Sequence, residues 1–306
     1  MISVIGEALV DLVITPEGAV EAALGGAPFN TARACGRLGV EVRFVGAIST
    51  DRFGSMLASQ LADDHVDVAS LVRVDAPTTL AAAELDEAGT ASYRFYIDGT
   101  SAPALPELDP STVAGEVIFT GGLGLVLEPM ATAVEHVIGA RTPEQLVMLD
   151  VNCRPKIISD RDAYVERIHR TVAGADIVKV SDEDLAYLSP GLDPVGAAEA
   201  LMALGPRAVL LTRGDAGVHV LTADGSALVD VEPVDVVDTI GAGDSFGAGF
   251  LSWWVASGRR RAEAADLDVL CKAVRAANLV AATVVTRRGA VPPWRDELPE
   301  DWAPRA

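Results

Sequence analysis

Short runs of apolar, largely β-branched residues recur along the chain, separated by longer amphipathic stretches: Ile2 to Ile5, Val42 to Val45, Val117 to Phe119, Leu146 to Leu149, Ile177 to Val180 and Ala208 to Leu211. Strands buried on both faces read as unbroken apolar runs, and parallel neighbours need a helical crossover between them. This alternation therefore selects an α/β fold around a mostly parallel, doubly wound sheet. Helices are predicted at Phe29 to Leu38, Phe53 to Asp63, Pro129 to Gly139, Asp162 to Ala173, Glu183 to Leu188, Pro194 to Leu204, Ala242 to Ala256 and Leu267 to Thr283. With 306 residues, 50% of them hydrophobic, the chain can bury a full enzyme core. From Thr78 to Ile97 the rhythm changes to strand, turn, strand, with Asp86 to Gly89 as the turn, and a second extended piece spans Leu9 to Ile14. The expectation is a single domain over residues 1–306, with a small antiparallel β lid from about 9–24 and 76–103 inserted in it.

Charge narrows the partners. The chain carries 44 acidic and 24 basic side chains, a formal net charge of -20, and its only lysines are Lys156, Lys179 and Lys272. Nucleic-acid grooves and anionic membranes call for clustered cations, so neither is expected as a partner. The one basic run, Arg259 to Arg261, falls at a predicted helix end, where cations suit the dipole. Cys35, Cys153 and Cys271 are far apart and match no metal spacing, nor do the four histidines, so a zinc hydrolase is not expected. Reduced thiols, the absence of a basic leader and the lack of a long uncharged apolar stretch predict a cytoplasmic protein. The polar segment from Arg295 onward is expected to fray.

The chemistry concentrates in Asp238-Thr-Ile-Gly-Ala-Gly-Asp244-Ser-Phe-Gly. A β-like run, Leu228 to Val237, leads in, and an apolar helical pattern containing Trp253 and Trp254 leads out. At a strand-to-helix junction, Gly241, Ala242 and Gly243 let a ligand approach the backbone, and the free N–H groups of the first turn form an anion site. Asp244 is the candidate base, expected to stay ionised because the helix end favours its charge. A Walker A loop would need a lysine here and a dinucleotide fingerprint a glycine at Phe246; neither is present.

A second glycine segment, Leu24-Gly-Gly-Ala-Pro-Phe-Asn30-Thr-Ala-Arg-Ala-Cys-Gly-Arg-Leu-Gly39, lies far upstream. Together, in this order and spacing, the two segments resemble the paired signatures of the PfkB family of carbohydrate kinases. The resemblance covers nearly the whole chain and implies a three-layer, ribokinase-like fold. It further implies ATP as phosphoryl donor with Mg²⁺, a monosaccharide acceptor, Asp244 as catalytic base and the 241–244 loop as anion hole. Sugar hydroxyls would be held by Asp11, Gly25, Gly26 and Asn30. Asp150-Val-Asn152-Cys-Arg154 resembles the family's Asp-x-Asn-x-Arg segment, which places Asn152 and Arg154 near sugar and phosphates. On the nucleotide side the resemblance implies Lys179, Thr212, Gly214, Gly217 and an adenine-lining Asn278.

The family's Asn-x-x-Glu element appears here as Ser181-Asp-Glu-Asp184, which implies Asp184 as a water-mediated Mg²⁺ contact; taken alone, that cluster reads as a helix cap. Asp238 and Thr239 are similar to part of a monovalent-cation site and imply K⁺. The lid's alternating aromatics, Tyr96 among them, would serve a contact with the sugar ring, a lid-to-lid homodimer or plain strand packing. Ile97 and Asp98 stand where kinases of acidic sugars often place a cation, which points to a neutral ketose. The lid, the Asp-x-Asn-x-Arg segment and Val180-Ser-Asp are similar to fructokinases, so fructose ranks ahead of 2-keto-3-deoxygluconate and of ribose or a nucleoside. Arg94 is the alternative anchor for an acid group if its face points inward. A catalytically silent sugar- or nucleotide-binding regulator is the competing class; a nicotinamide oxidoreductase ranks lower, since no fingerprint follows the first strand.

Overall fold

A computed structural model of the chain describes residues 1–85, 91–110 and 113–303. The strands are β1 (Ile2–Ile5), β2 (Leu9–Ile14), β3 (Val20–Gly25), β4 (Val42–Val45), β5 (Ala47–Ser49), β6 (Val72–Val74), β7 (Leu80–Leu85), β8 (Ala91–Tyr96), β9 (Val117–Gly121), β10 (Leu146–Asp150), β11 (Ile177–Ser181), β12 (Ala208–Thr212), β13 (Val218–Thr222) and β14 (Gly225–Val229). The helices are α1 (Ala27–Arg37), α2 (Arg52–Asp63), α3 (Met130–Gly139), α4 (Arg161–Gly174), α5 (Asp182–Leu188), α6 (Pro194–Met202), α7 (Ala242–Ala256) and α8 (Leu267–Val285).

Eight strands form the main sheet in the order β14-β13-β12-β11-β10-β9-β1-β4, parallel from β4 through β12 and antiparallel at the β13 and β14 edge. The expected core strands are all present. Alternation along them feeds two cores: Phe119 and Met148 join one, together with α1, α7 and α8, while Ile118, Val147 and Leu149 join the other, together with α3, α4 and α6. Helices thus cover both faces, which makes three layers. The order turns at β1, whose neighbours are β4 on one side and β9 on the other. In open sheets of this kind such a switch point opens a crevice at the carboxyl ends of the strands.

The smaller sheet, in the order β3-β2-β7-β8, is two antiparallel hairpins whose inner strands β2 and β7 pair in parallel. The predicted turn at 86–89 lies outside the described residues. The strand expected from Leu228 to Val237 ends early: β14 stops at Val229, and 230–237 runs on without regular structure, its side chains mostly exposed. Its alternating valines find no neighbouring strand in the ladder beyond Val229.

The end of the chain also departs from expectation. Trp302 is 5% exposed and belongs to the α1, α7, α8 core, its indole N–H donating to Ala276 O at 2.9 Å while the Arg295 guanidinium lies 5.2 Å from its ring. One large aromatic holds the tail down despite its polar neighbours. Trp302→Ala should therefore lower unfolding free energy by about 3 to 5 kcal/mol, read by urea titration; a change near zero would mean that the tail frays after all. Cys35, Cys153 and Cys271 are buried free thiols, as expected. Among the described residues, no helix is long and apolar enough to cross a membrane.

Candidate functional site

The carboxyl ends of β1, β10 and β11 deliver side chains to one crevice, and the N-termini of α1 and α7 close it. Helix α7 opens with Gly241 at φ 77°, a left-handed conformation open to glycine, and a Cβ there would stand 2.6 Å from the Ala290 Cβ. The Ala242 N–H turns back to Thr239 O at 3.2 Å, whereas the N–H groups of Gly243 and Asp244 meet no protein acceptor among the described residues. They are free donors of the first turn, the kind of groups that can hold an anion, and they overlap the expected Gly241 to Gly243 set at Gly243.

Asp244 Oδ2 accepts a 2.9 Å hydrogen bond from Asn30 Nδ2, so Asn30, expected at the sugar, touches the base itself. The sequence predicts a carboxyl held low by the helix end, and here the structure corrects it. Burial pushes Asp244 up to about 6, with Asp150 raising it further, against the lowering effects of the Asn30 bond, Lys179 and Arg154. Asp11 is also pushed up to about 6 by burial, opposed by Arg154. Its carboxylate lies so close to Gly25 that a Cβ there would be 2.3 Å from Oδ2, which explains the glycine. Gly26 caps α1 at φ 109°, with the Glu7 carbonyl 2.8 Å from where a Cβ would sit.

Asn152 follows β10 at φ 41°, a conformation asparagine tolerates, and Arg154 folds over it, donating to the Asn152 carbonyl and side chain and to Cys153 O. From there Arg154 acts electrostatically on Glu7, Asp11, Asp150 and Asp244 at once. Lys179 is buried, donates to Asp150 Oδ2 at 2.7 Å, and its Nζ stands 3.3 Å from where a Gly243 Cβ would be. These residues form one cluster.

The nucleotide-side set lies at the neighbouring strand ends. Thr212 ends β12, and the turn that follows uses Gly214 at φ 54° and Gly217 at φ 88° to reverse into β13. Asn278 on α8 is buried and donates to Asp230 O at 3.1 Å, anchoring the irregular 230–237 segment. That segment and its surroundings expose Val236, Val237 and Ile240, an apolar wall beside the glycine loop.

Some expected sites are placed differently. Asp184 has both oxygens engaged: Oδ1 accepts from Cys153 N–H at 2.6 Å, and Oδ2 accepts from Ser181 N–H in a capping box that starts α5. Asp238 closes the loop mouth, accepting from Ile240 N–H and Gly289 N–H, while Thr239 O is taken by Ala242. No group of three or more His, Cys, Asp or Glu side chains among the described residues could cage a metal. In the smaller sheet Asp11 pairs with Ala81 and Ala81 with Phe95, so these share a face. Tyr96 pairs with Leu80, which pairs with Val10, and it projects from the other face, 51% exposed. Arg94 shares that outer face, 67% exposed, with Glu84 3.8 Å away. Neither is brought to Asp11, and Phe95, packed against the second core, takes the place expected for Tyr96.

Two site residues escape the sequence reading. Glu7 follows β1, is 2% exposed, and accepts from Ala27 N–H at 3.1 Å and Gly124 N–H at 3.2 Å, joining α1 to the end of β9; burial pushes it up to about 8. The signal was an acid two residues past a short, largely β-branched strand. The other is Asp150, quoted in its motif but given no role of its own.

A helix-end anion cradle, a carboxylate of raised pKa beside it and a buried ammonium beneath define a phosphoryl-transfer enzyme built at the switch point of an α/β sheet. The chain belongs to the pfkB family of carbohydrate kinases, whose model matches residues 1–297. A fructokinase of Rhizobium leguminosarum bv. trifolii is 34% identical over 82% of this chain and 79% of its own. An aminoimidazole riboside kinase of Salmonella typhimurium is also 34% identical, over 96% and 92%. The crystal structure of an ATP-bound fructokinase from Xylella fastidiosa superposes with a TM-score of 0.86 at 28% identity, covering 94% of this chain and 93% of that one.

Proposed function

We propose that the protein transfers the γ-phosphoryl group of ATP to a hydroxyl of a neutral sugar, with fructose as the acceptor. One observation carries this reading: the Asp244 carboxylate, fixed by Asn30, stands beside the unpaired N–H groups of the α7 first turn, with Asp11 and Gly25 across the crevice. A loose phosphoryl-transfer transition state needs alignment and charge stabilisation more than covalent chemistry. Asp11 and Gly25 with Gly26 orient the sugar, Asp244 takes its proton, and the N–H groups of Gly243 and Asp244 face the transferred oxygens. Thr212, Gly214, Gly217 and Asn278 frame the nucleotide, Arg154 and Asn152 lie between the two ligands, and the smaller sheet excludes water over the sugar.

A neutral acceptor is favoured because acids outnumber cations here: Asp11, Asp150 and Asp244 against Arg154 and Lys179, with Arg94 turned outward. The divalent ion is Mg²⁺, which suits a site without an all-protein cage because Mg²⁺ keeps several waters and is held mainly through phosphates. Bound there it neutralises phosphate charge. Asp184 contributes through water only where a lone pair is left by its two backbone donors, and Asp238 with Thr239 marks where K⁺ would sit, tested by exchanging K⁺ for Li⁺ in the assay. Exposed Val20 and Tyr96 on the outer face of the smaller sheet support a homodimer through that face, which sedimentation would detect.

The test is ATP consumption with fructose, 2-keto-3-deoxygluconate, ribose, adenosine and fructose 6-phosphate. Fructose is expected to give the highest kcat/KM; preference for a riboside moves the acceptor class, and no consumption with any of them favours a silent binder. A pH profile follows from the two raised carboxyls. Asp244 and Asp11 must both be ionised, so kcat/KM should hold above pH 6 and fall as pH drops through about 6, more steeply than for one proton. Activity sustained to pH 4 would contradict this.

A further inference from the structure

We propose that Asp150 is a positioning residue: it holds the Lys179 ammonium against the turn at Gly243, the residue before Asp244. The inference rests on the kinase reading above and goes beyond it in giving a role to a residue buried behind the ligands. Asp150 is the last residue of β10 and is 2% exposed. Its Oδ2 accepts from Lys179 Nζ at 2.7 Å, and its Oδ1 has no hydrogen-bond partner among the described residues. Its backbone packs closely against β9: a Cβ at Gly121 would meet the Asp150 carbonyl at 2.2 Å and the Asp150 Cβ at 2.9 Å.

Stability alone is a poor reason for such a pair. Buried ion pairs are commonly no better than apolar residues of the same volume, and a buried carboxylate oxygen without a donor is unfavourable. Function supplies the reason. An ammonium has three donors and Asp150 uses one, so two remain, and Nζ stands close to Gly243, next to the free N–H groups of α7. A buried ammonium needs an opposite charge beside it, which the Asp150 carboxylate supplies.

The groups facing Asp244 come from every surrounding element: Asn30 on α1, Glu7 after β1, Asp150 on β10, Arg154 beyond it and Lys179 on β11. The two paired charges act on Asp244 in opposite senses, Asp150 raising and Lys179 lowering it.

The experiment compares Asp150→Asn and Lys179→Gln with the wild type. Asp150→Asn should move the acid limb of kcat/KM to lower pH and Lys179→Gln should move it to higher pH. Both should weaken binding of a non-hydrolysable ATP analogue by about tenfold or more, with ADP affinity little changed. Limbs that stay in place, or move the same way, overturn the proposal, since a merely structural pair would not displace them oppositely. If Asp150→Asn does not fold, the doubly neutral Asp150→Asn/Lys179→Gln variant and Lys179→Gln alone carry the test, and unchanged analogue binding in both overturns it. If the wild type phosphorylates none of the sugars, the kinase reading is what has failed. The binding comparison then still decides the role of Asp150.

Discussion

Asp244→Asn is expected to lower kcat by about 10²- to 10⁴-fold, the usual worth of a positioned base, while sugar and nucleotide still bind. The geometry explains why the two effects should separate. Asparagine keeps the shape of the side chain and can still accept from Asn30 Nδ2 through its own oxygen, so the junction between α1 and α7 survives. The first-turn N–H groups and Lys179 are untouched, and removing a carboxylate beside incoming phosphates relieves a repulsion. The check is steady-state turnover together with equilibrium ADP binding. Near-normal turnover would remove Asp244 from the mechanism; loss of binding together with turnover would make it a structural residue.

Gly25→Ala should lower kcat/KM for the sugar by about 10- to 100-fold while KM for ATP stays close to that of the wild type. An added Cβ would lie 2.3 Å from Asp11 Oδ2 and 3.4 Å from its Cγ, so the carboxylate must rotate off the sugar. Since the obstructing atom is the end of a side chain and the backbone of Gly25 is unstrained, the fold should tolerate the change. Gly26→Ala makes the contrast. There φ is 109° and the obstruction is the Glu7 carbonyl at 2.8 Å, which cannot rotate away, so that variant should lose melting temperature as well as activity. An unchanged kcat/KM in Gly25→Ala would mean that Asp11 does not hold the acceptor.

Much of the site was legible because its residues carry short-range signals. The glycines at 25, 26, 241 and 243 announce close backbone approach, and Asp244 one turn into an apolar helix announces a charge at a helix end. What escaped depends on groups distant along the chain. The helix dipole suggests a low pKa for Asp244; enclosure by α1, β10 and β11 reverses it. Tyr96 and Phe95 are adjacent in sequence, and only the register of β7 with β8 and β2 decides which of them faces Asp11. Asp184 is occupied by a backbone donor from Cys153, thirty-one positions away, which no local pattern encodes.

The same division runs through the whole molecule. Periodicity and glycine spacing by themselves determined the α/β class and the strand-loop-helix junction, because these follow from backbone conformation and side-chain alternation within a few residues, and the two glycine segments carry the resemblance to the pfkB family. Tertiary structure alone decided which carboxylates share a crevice, which of them burial raises above the usual carboxylate range, and that Trp302 pins a tail that reads as polar. Those outcomes depend on desolvation and on charges only a few ångströms apart in space though far apart in the chain, and the order of residues fixes such distances only once the sheet has formed.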